Sequence, residues 1–282
     1  MKKLTALFVL FIFTMSGVVA QGDVISAADF MAAKKTNKSL VLIDANTATN
    51  YAKSHAQGAV NIPHKELYQE GEIEGLIKSP DELAEYFGKK GVSNANSIVI
   101  YDDGSNKYSS RVYWVLKYLG ASDVKILHKD MDAWKKARVP LTRSKTMAKA
   151  TTFTANVNSD IIVDMAFVKS NIGTANTFVV DCRDLEEFNG TSDKSEGHIK
   201  GSIHMNYKEC VHEDGSFKSK EELEAVASKY GFSKDKTIVF YCVTSVRASA
   251  AFVAFNSILG YPNIKVYDGA YNEWVAANNP IE

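Results

Sequence analysis

The chain repeats itself once, and this internal duplication limits the possible fold more than any other feature of the sequence. The run Leu40–Asp44 resembles Phe178–Asp181, and His55–Val60 is matched 143 residues later by His198–Ile203. A shift of 140 residues relates further landmarks: Lys78–Leu83 and Lys218–Leu223, Gly91 and Gly231, Ile98–Tyr101 and Ile238–Tyr241, Leu119–Gly120 and Leu259–Gly260, and Trp134 and Trp274. So constant a register indicates two copies of one domain of about 125 residues.

Composition suggests where the two copies meet. We expect residues 21–141 to form the first domain and residues 159–282 to form the second. Residues 142–158 are rich in Thr, Lys, Ala and Asn, which is typical of a linker.

Strands and helices alternate within each copy. In the second copy, Thr237–Tyr241 and Ile264–Tyr267 are predicted strands, whereas Ser219–Lys229 and Arg247–Leu259 carry apolar residues at helical spacing. Alternation of this kind predicts an α/β fold, in which each domain is a parallel sheet with helices on both faces.

The first twenty residues have the pattern of a cleaved secretory signal. Lys2 and Lys3 precede an almost wholly apolar run from Leu4 to Val19, and the small residues Val18 and Ala20 predict cleavage after Ala20. A membrane anchor is the alternative, but the run is shorter than the roughly 20 residues that span a bilayer. We therefore expect a periplasmic or secreted protein that has no membrane contact once the signal is removed.

Charge and cysteine content exclude other classes. Lys plus Arg and Asp plus Glu both number 33, so there is no basic excess of the kind that indicates a nucleic-acid partner. The three cysteines, Cys182, Cys210 and Cys242, are too few for a disulfide framework in an exported chain of this length. Their odd number leaves at least one thiol unpaired, which calls for a functional reason.

Cys242 occupies the position where a chemical site is expected. It directly follows the Thr237–Tyr241 strand and precedes the helix predicted at Arg247. Ligands of parallel sheets bind beyond the carboxyl ends of the strands. A tight loop there, leading into a helix, presents backbone N–H groups and a partial positive charge that favour a thiolate. The sequence therefore predicts a nucleophilic Cys242 thiolate beside the Arg247 cation, with an inert buried cysteine as the alternative.

Four ordered motifs of the second copy resemble those of the rhodanese sulfurtransferases. Asp181–Phe188 is similar to the family signature Asp-x-Arg-x-x-x-Glu-[Phe/Tyr], and Gly197–Ile203 to Gly-His-Ile-x-Gly-[Ala/Ser]. Tyr267–Trp274 resembles the closing Asp-Gly-[Gly/Ser]-x-x-x-Trp motif, and Cys242–Arg247 stands where the family has its six-residue active-site loop. The duplication is similar to that of the two-domain rhodaneses, whose N-terminal copy is inactive. Consistent with this, Asp102 stands where a catalytic cysteine would lie in the first copy.

The resemblance implies covalent sulfur transfer by an activated nucleophile. Cys242 would take the outer sulfur of a small anionic donor such as thiosulfate, hold it as a persulfide, and pass it to cyanide or a thiol. No metal or organic cofactor is implied. The residues expected to bind substrate are Val243, Thr244, Ser245, Val246, Arg247 and Arg183.

Two other functions compete with this one. Related phosphatases and arsenate reductases use a loop one residue longer, Cys-x5-Arg, but Ala248 occupies that last position here. The chain could instead be a non-enzymatic persulfide carrier or binding module that delivers sulfur to a partner protein.

Two finer hypotheses concern the donor and the regulation of the site. The loop lacks the glycines typical of 3-mercaptopyruvate enzymes, so thiosulfate is the expected donor, although Glu187 predicts weak saturation. Cys182 ends the strand expected beside that of Cys242, so oxidation could join the two sulfurs. A small buried core residue is the alternative role for Cys182.

Overall fold

Two similar α/β domains follow one another in the computed structural model, which describes residues 22–193 and 195–282. The predicted signal segment, residues 1–20, lies outside the described residues. Within the described part of the chain, no helix is long and apolar enough to cross a membrane.

The first domain is a five-stranded parallel sheet, in the order β1-β6-β5-β2-β4, with a short antiparallel pair formed by β3 and β7. Its strands are β1 (Val24–Ile25), β2 (Leu40–Asp44), β3 (His55–Ala56), β4 (Ala59–Asn61), β5 (Ser97–Tyr101), β6 (Val124–Leu127) and β7 (Leu141–Thr142). Its helices are α1 (Ala27–Thr36), α2 (Ala48–Lys53), α3 (Pro80–Lys89), α4 (Lys107–Tyr118) and α5 (Met131–Ala137).

The second domain repeats this sheet, in the order β10-β9-β11-β12-β8, with every pairing parallel. Its strands are β8 (Ile162–Val163), β9 (Thr177–Asp181), β10 (Ile203–His204), β11 (Thr237–Tyr241) and β12 (Ile264–Tyr267). Its helices are α6 (Met165–Asn171), α7 (Leu185–Phe188), α8 (Lys220–Tyr230), α9 (Val246–Phe252) and α10 (Ala270–Ala276). The α/β fold with a duplicated parallel sheet is thus confirmed.

Local sequence explains the boundaries of these elements. The strands predicted at Thr237–Tyr241 and Ile264–Tyr267 have the predicted bounds, because each is a buried apolar run between polar turns. Helix α8 begins where the predicted cap places it. The Ser219 side chain accepts the backbone N–H of Glu222, and the Glu222 carboxylate accepts that of Ser219, which satisfies donors that the first helical turn leaves free.

The helix after β11 differs from the prediction of one helix over Arg247–Leu259. It begins one residue earlier, at Val246, and its second half, Val253–Ile258, is π-helical. A π turn accommodates one extra residue in a helix and is frequent near functional sites.

Comparison of the two copies explains this extra residue. Helix α4 starts five residues after Asp102, whereas α9 starts four residues after Cys242. The loop of the second copy is therefore one residue shorter, and the π turn restores the 140-residue register by Leu259. The loop is one residue shorter and the helix one residue longer, so the spacing between the repeated landmarks is unchanged. The repeat alone therefore did not reveal either difference.

The two domains share one hydrophobic core. Helices α4 and α9 pack against each other across the domain boundary. One cluster of buried side chains runs from Ile43 and Leu83 in the first domain to Phe240 and Val266 in the second. The segment 143–158 contains no helix or strand and lies on the first domain, where Phe153 packs against Phe87.

Candidate active site

Cys242 lies at the carboxyl end of β11, the central strand of the second sheet. Its residue is 1% exposed, and its carbonyl accepts the backbone N–H of Tyr271 at 2.9 Å. Parallel strands direct their carboxyl ends to one edge of the sheet, so Cys242 stands where ligands of such sheets bind.

The loop after Cys242 turns sharply into α9. Ser245 has a left-handed backbone with φ of 58°, which is uncommon for a residue with a side chain. Its hydroxyl donates to the carbonyl of Tyr267 at 2.6 Å and so fixes the turn to the end of β12. Among the described residues, the backbone N–H groups from Val243 to Ala248 donate no hydrogen bond. These amides form a concave set of donors that suits an anion.

The first copy shows what such a loop can bind. Asp102 occupies the position of Cys242 and is fully buried. Its carboxylate accepts four backbone N–H groups at 2.9 to 3.1 Å, those of Gly104, Asn106, Tyr108 and Ser109. The loop of the first copy is therefore filled by its own side chain. Asp102 has no nucleophilic sulfur, so this loop cannot carry a persulfide.

Arg247 is paired with acidic side chains. Its guanidinium makes a bidentate ion pair with Glu187, with N–O distances of 2.5 and 2.9 Å, and Nη1 lies 3.4 Å from Asp184. Burial works to lower the pKa of Arg247, but the hydrogen bond to Glu187 and the charges of Cys242 and Glu187 outweigh it and raise that pKa. Arg247 is thus a permanent cation near Cys242, and much of its charge is already neutralised.

Arg183 has a different role from the predicted substrate contact. It is fully buried, and its Nε and Nη2 bind the Asp181 carboxylate at 2.7 to 3.0 Å. Nη1 donates to Ser195 and Nη2 also donates to the carbonyl of Gly197, while the guanidinium lies 3.9 Å from the ring of Tyr271. These partners occupy four of the five N–H groups of Arg183, so the structure favours a role in holding the end of β9 in place over the predicted substrate contact.

The remaining predicted site residues differ in how far they are exposed to a substrate. Val243 and Thr244 are partly exposed and can face a substrate. Val246 is 7% exposed. Ser245 is fully buried, and its hydroxyl is engaged with Tyr267, so only its backbone N–H is available to an anion.

Residues of the first domain that sequence reasoning missed also reach this region. A Cβ atom at Gly75 would lie 2.8 Å from Cβ of Thr244, so the first domain touches the active-site loop directly. Arg111 donates to the carbonyl of Gly75 at 2.8 Å and to Asp268 at 2.6 Å. The repeat gave no signal for Arg111, because the equivalent position in the second copy is an alanine.

A cleft of about 450 Å³ opens between the domains in front of the loop. From the first domain it is lined by His64 and Tyr108, and from the second by Thr244, Val246 and Arg247. The His64 ring stacks on Tyr108, and burial lowers the pKa of His64 to about 4, so that side chain is neutral at pH 7. On its first-domain side the cleft thus has a neutral stacked pair together with the charged residues Lys65, Glu74 and Lys107, and the Arg247 ion pair lies on the other side.

Comparison with known proteins yields consistent matches over both copies. A family model described as a rhodanese-like domain matches residues 26–137 and 164–277. A Mycolicibacterium smegmatis protein named "Putative thiosulfate sulfurtransferase" is 28% identical, over 94% of this chain and 99% of its own. The sulfur carrier protein TtuD of Thermus thermophilus is 29% identical, over 79% of this chain and 83% of its own. The structure of the 3-mercaptopyruvate sulfurtransferase SseA from Escherichia coli superposes with a TM-score of 0.80 at 26% identity, covering 89% of this chain and 99% of SseA.

Proposed function

The chain belongs to the rhodanese family, and on this premise we propose that it is a sulfurtransferase that carries sulfane sulfur as a persulfide on Cys242. One observation carries the assignment of the residue. The loop that binds the Asp102 carboxylate in the first copy begins in the second copy with a cysteine, and its amides have no acceptor among the described residues.

Sulfur transfer at this site takes two steps. In the first, the Cys242 thiolate attacks the outer sulfur of the donor, the donor's S–S bond breaks, and its electron pair leaves with the remainder, which is sulfite when thiosulfate is the donor. In the second, cyanide or a thiolate attacks the outer sulfur of the persulfide and restores the Cys242 thiolate. The N–H groups of Val243 to Ala248 hold the anionic sulfur between the steps, as oxyanion holes hold oxyanions.

Incubation of the purified protein with thiosulfate tests this assignment. We expect Cys242 to gain the mass of one sulfur atom and to lose it again when cyanide is added. A gain on Cys182 or Cys210 instead, or no gain at all, would overturn the proposal.

We propose thiosulfate as the preferred donor over 3-mercaptopyruvate. The absence of glycine from the Val243 and Ser245 positions, together with the nearby cations, supports a small, doubly charged donor. The Glu187 carboxylate, paired with Arg247, favours a high KM. Steady-state assays of both donors at equal concentrations test this preference, and a clearly higher kcat/KM for 3-mercaptopyruvate would refute it.

A carrier role is the second candidate, supported by the likeness to a protein named as a sulfur carrier. A carrier would form the persulfide yet turn over slowly with cyanide and rapidly with one protein acceptor. The ratio of persulfide formation to cyanide turnover therefore separates the two roles.

We also propose export, on the charged and apolar pattern of residues 1–20. N-terminal sequencing of the protein from its native host should find a chain that begins at Gln21. A cell-associated chain that retains residues 1–20 would refute this.

A further inference from the structure

Arg111 is a buried cation whose hydrogen-bonding capacity is only partly used. It lies on α4 of the first domain and is fully buried. Nη2 donates to the Gly75 carbonyl and to Asp268, whereas Nε and Nη1 have no partner. A guanidinium has five N–H groups, so three of those on Arg111 remain available. Buried polar groups are nearly always hydrogen-bonded, which makes an anionic acceptor the partner that suits this position.

The two partners of Arg111 attach it to the active-site loop. Gly75 presses against Thr244, the third residue of the loop. Asp268 follows β12, the strand beside β11, and also accepts the N–H of Ile77 at 3.0 Å. Arg111 is therefore held between the 75–77 segment of the first domain and the strand ends that carry Cys242.

The pKa shifts of Arg111 and Tyr68 agree with a position of Arg111 close to the active-site loop. Burial works to lower the pKa of Arg111, but the charges of Asp268, Tyr68 and Cys242 outweigh it and raise that pKa. Burial raises the pKa of Tyr68 to about 12, and Arg111 and Cys242 shift it in opposite directions. The Tyr68 ring lies 5.7 Å from the Arg111 guanidinium. Charges on Cys242 and Arg111 therefore act on each other across the domain boundary.

Arg247 and Arg111 differ in what they can still bind. Arg247 holds Glu187 through both Nη atoms and approaches Asp184 as well. Arg111 contacts a single carboxylate through one nitrogen. An incoming anion that binds Arg247 competes with two carboxylates, whereas Nε and Nη1 of Arg111 have no hydrogen-bond partner and the guanidinium otherwise stacks on the Trp114 ring at 4.7 Å.

We propose that Arg111 binds the anionic oxygens of the sulfur donor, so that the first domain supplies part of the substrate site. This inference rests on the proposed sulfurtransferase function. The ligand class is a sulfane sulfur bonded to a sulfonate-type group, as in thiosulfate. When the thiolate forms its bond to the outer sulfur, the donor's S–S bond breaks and the electron pair leaves on sulfite. Arg111 stabilises that departing charge by charge-assisted hydrogen bonds.

Kinetics of the full-length variants Arg111→Met and Arg111→Lys test the proposal. We expect Arg111→Met to lower kcat/KM for thiosulfate by roughly 10- to 100-fold, the loss of one charge-assisted contact, and Arg111→Lys to restore part of it. The double variant Arg111→Met, Asp268→Asn keeps the measurement interpretable, because it does not leave the Asp268 carboxylate buried without its partner. Lys117→Met, which removes a charge at the far end of α4, is the matched control and should retain the native value.

Alkylation rates of Cys242 test anion binding by Arg111 independently of protein folding and of sulfurtransferase activity. Iodoacetate carries a carboxylate and iodoacetamide does not, so the ratio of their rates reports the cation beside the thiol without any turnover. We expect Arg111→Met to lower this ratio by roughly tenfold while the iodoacetamide rate stays near the native rate. A ratio within twofold of native in both Arg111→Met and the double variant would overturn the proposal. If thiosulfate formed no persulfide but the ratio still depended on Arg111, the sulfurtransferase function would fail and the anion site would stand.

Discussion

Asp102 and Cys242 stand at equivalent positions in the two copies, directly after the central strand of each sheet. Asp102 has a structural role there, whereas Cys242 is the proposed nucleophile. The Asp102 carboxylate satisfies the amides of its loop and closes it. The amides that follow Cys242 have no acceptor among the described residues, so they are available to an anionic ligand. The side chain at this position and the loop that follows it, one residue shorter in the second copy, together distinguish the structural loop from the proposed chemical one.

Replacement of the nucleophile is the first prediction. Cys242→Ser should abolish sulfur transfer, because the Ser hydroxyl is not ionised at neutral pH and forms no persulfide, and the fold should persist since the change is nearly isosteric. Turnover with thiosulfate and cyanide, together with the thermal midpoint, measures both effects. Asp102→Ala is the matched change in the first copy. It should lower stability, because it leaves four N–H groups without the carboxylate, two of them buried, while turnover stays within about tenfold. Cys242→Ser retaining more than a few per cent of native turnover would exclude Cys242 as the carrier.

Release of Arg247 from its ion pair is the second prediction. Burial works to raise the pKa of Glu187, but Arg247 outweighs it and keeps Glu187 ionised at pH 7. Glu187→Gln removes that charge, so we expect KM for thiosulfate to fall by roughly 3- to 10-fold, as Arg247 becomes available to the anion. Glu186→Gln removes the neighbouring exposed carboxylate and should change KM far less.

Removal of the Arg247 side chain tests the same idea, that its guanidinium binds thiosulfate. Arg247→Ala leaves the Glu187 carboxylate without its cation and should lower kcat/KM for thiosulfate by about 10- to 100-fold. An unchanged KM in Glu187→Gln, or a raised one, would show that the pair itself, rather than the free guanidinium, serves the site.

At the scale of elements, strands β9 and β11 bring two cysteines to one sheet edge. Asp181 pairs with Tyr241 in the parallel register, and the N–H of Cys182 donates to the Tyr241 carbonyl at 2.8 Å. Cys182 and Cys242 therefore follow adjacent positions of neighbouring strands, about 4.8 Å apart in such sheets and within the reach of a disulfide. The described residues contain free thiols at Cys182, Cys210 and Cys242.

Oxidation of this pair is the third prediction. Hydrogen peroxide should convert the Cys242 thiolate to a sulfenic acid, and attack by the Cys182 sulfur should then release water and form a disulfide. Burial, with the charges of Cys210 and Cys242, raises the pKa of Cys182, so Cys242 is expected to react first. Non-reducing peptide mapping should find Cys182 joined to Cys242, with activity restored by dithiothreitol.

Two variants test which thiol takes part. Cys182→Ser should prevent the recovery of activity, because the sulfenic acid then proceeds to irreversible acids, whereas Cys210→Ser should behave as the native protein does. Burial raises the pKa of Cys210 to about 12, so it competes poorly. Accumulation of sulfinic acid on Cys242 with Cys182 still reduced would exclude the disulfide.

Elements were predictable from the sequence where local patterning determines them. Strands β11 and β12 and the cap of α8 depend on residues within one short run, so their bounds follow from that run. The π turn Val253–Ile258 does not, since its extra residue is compensated within the neighbouring loop. The pairing of Arg247 with Glu187 joins residues 60 positions apart, and no local pattern encodes which carboxylate the folded chain places beside the guanidinium.

At the scale of the whole molecule, the two copies behave as one structural unit. Arg111 bonds to Asp268, Asn272 donates to the carbonyl of Glu74, and α4 packs on α9 within the shared core. The repeat predicted two domains, but repeats compare equivalent positions and carry no information about contacts between the copies. The contacts that Gly75 and Arg111 make at the Cys242 loop and the adjacent strand end are therefore known only from the structure.

Coupled unfolding of the two domains is the last prediction. Domains within a chain often have small polar interfaces and unfold separately, but a continuous apolar core favours one cooperative transition. Trp134 lies in a cluster of the first domain and Trp274 in one of the second, so variants that retain only one tryptophan report each domain. Both variants should unfold in guanidinium at the same midpoint.

Phe87→Leu makes the test sharper, because Phe87 is buried in the first domain against Phe153 and its loss costs about 1 kcal/mol or more. In a coupled molecule this substitution lowers the midpoint reported by Trp274 as much as that reported by Trp134. A shift confined to Trp134 would show that the second domain is stable by itself and that the shared core does not couple the copies.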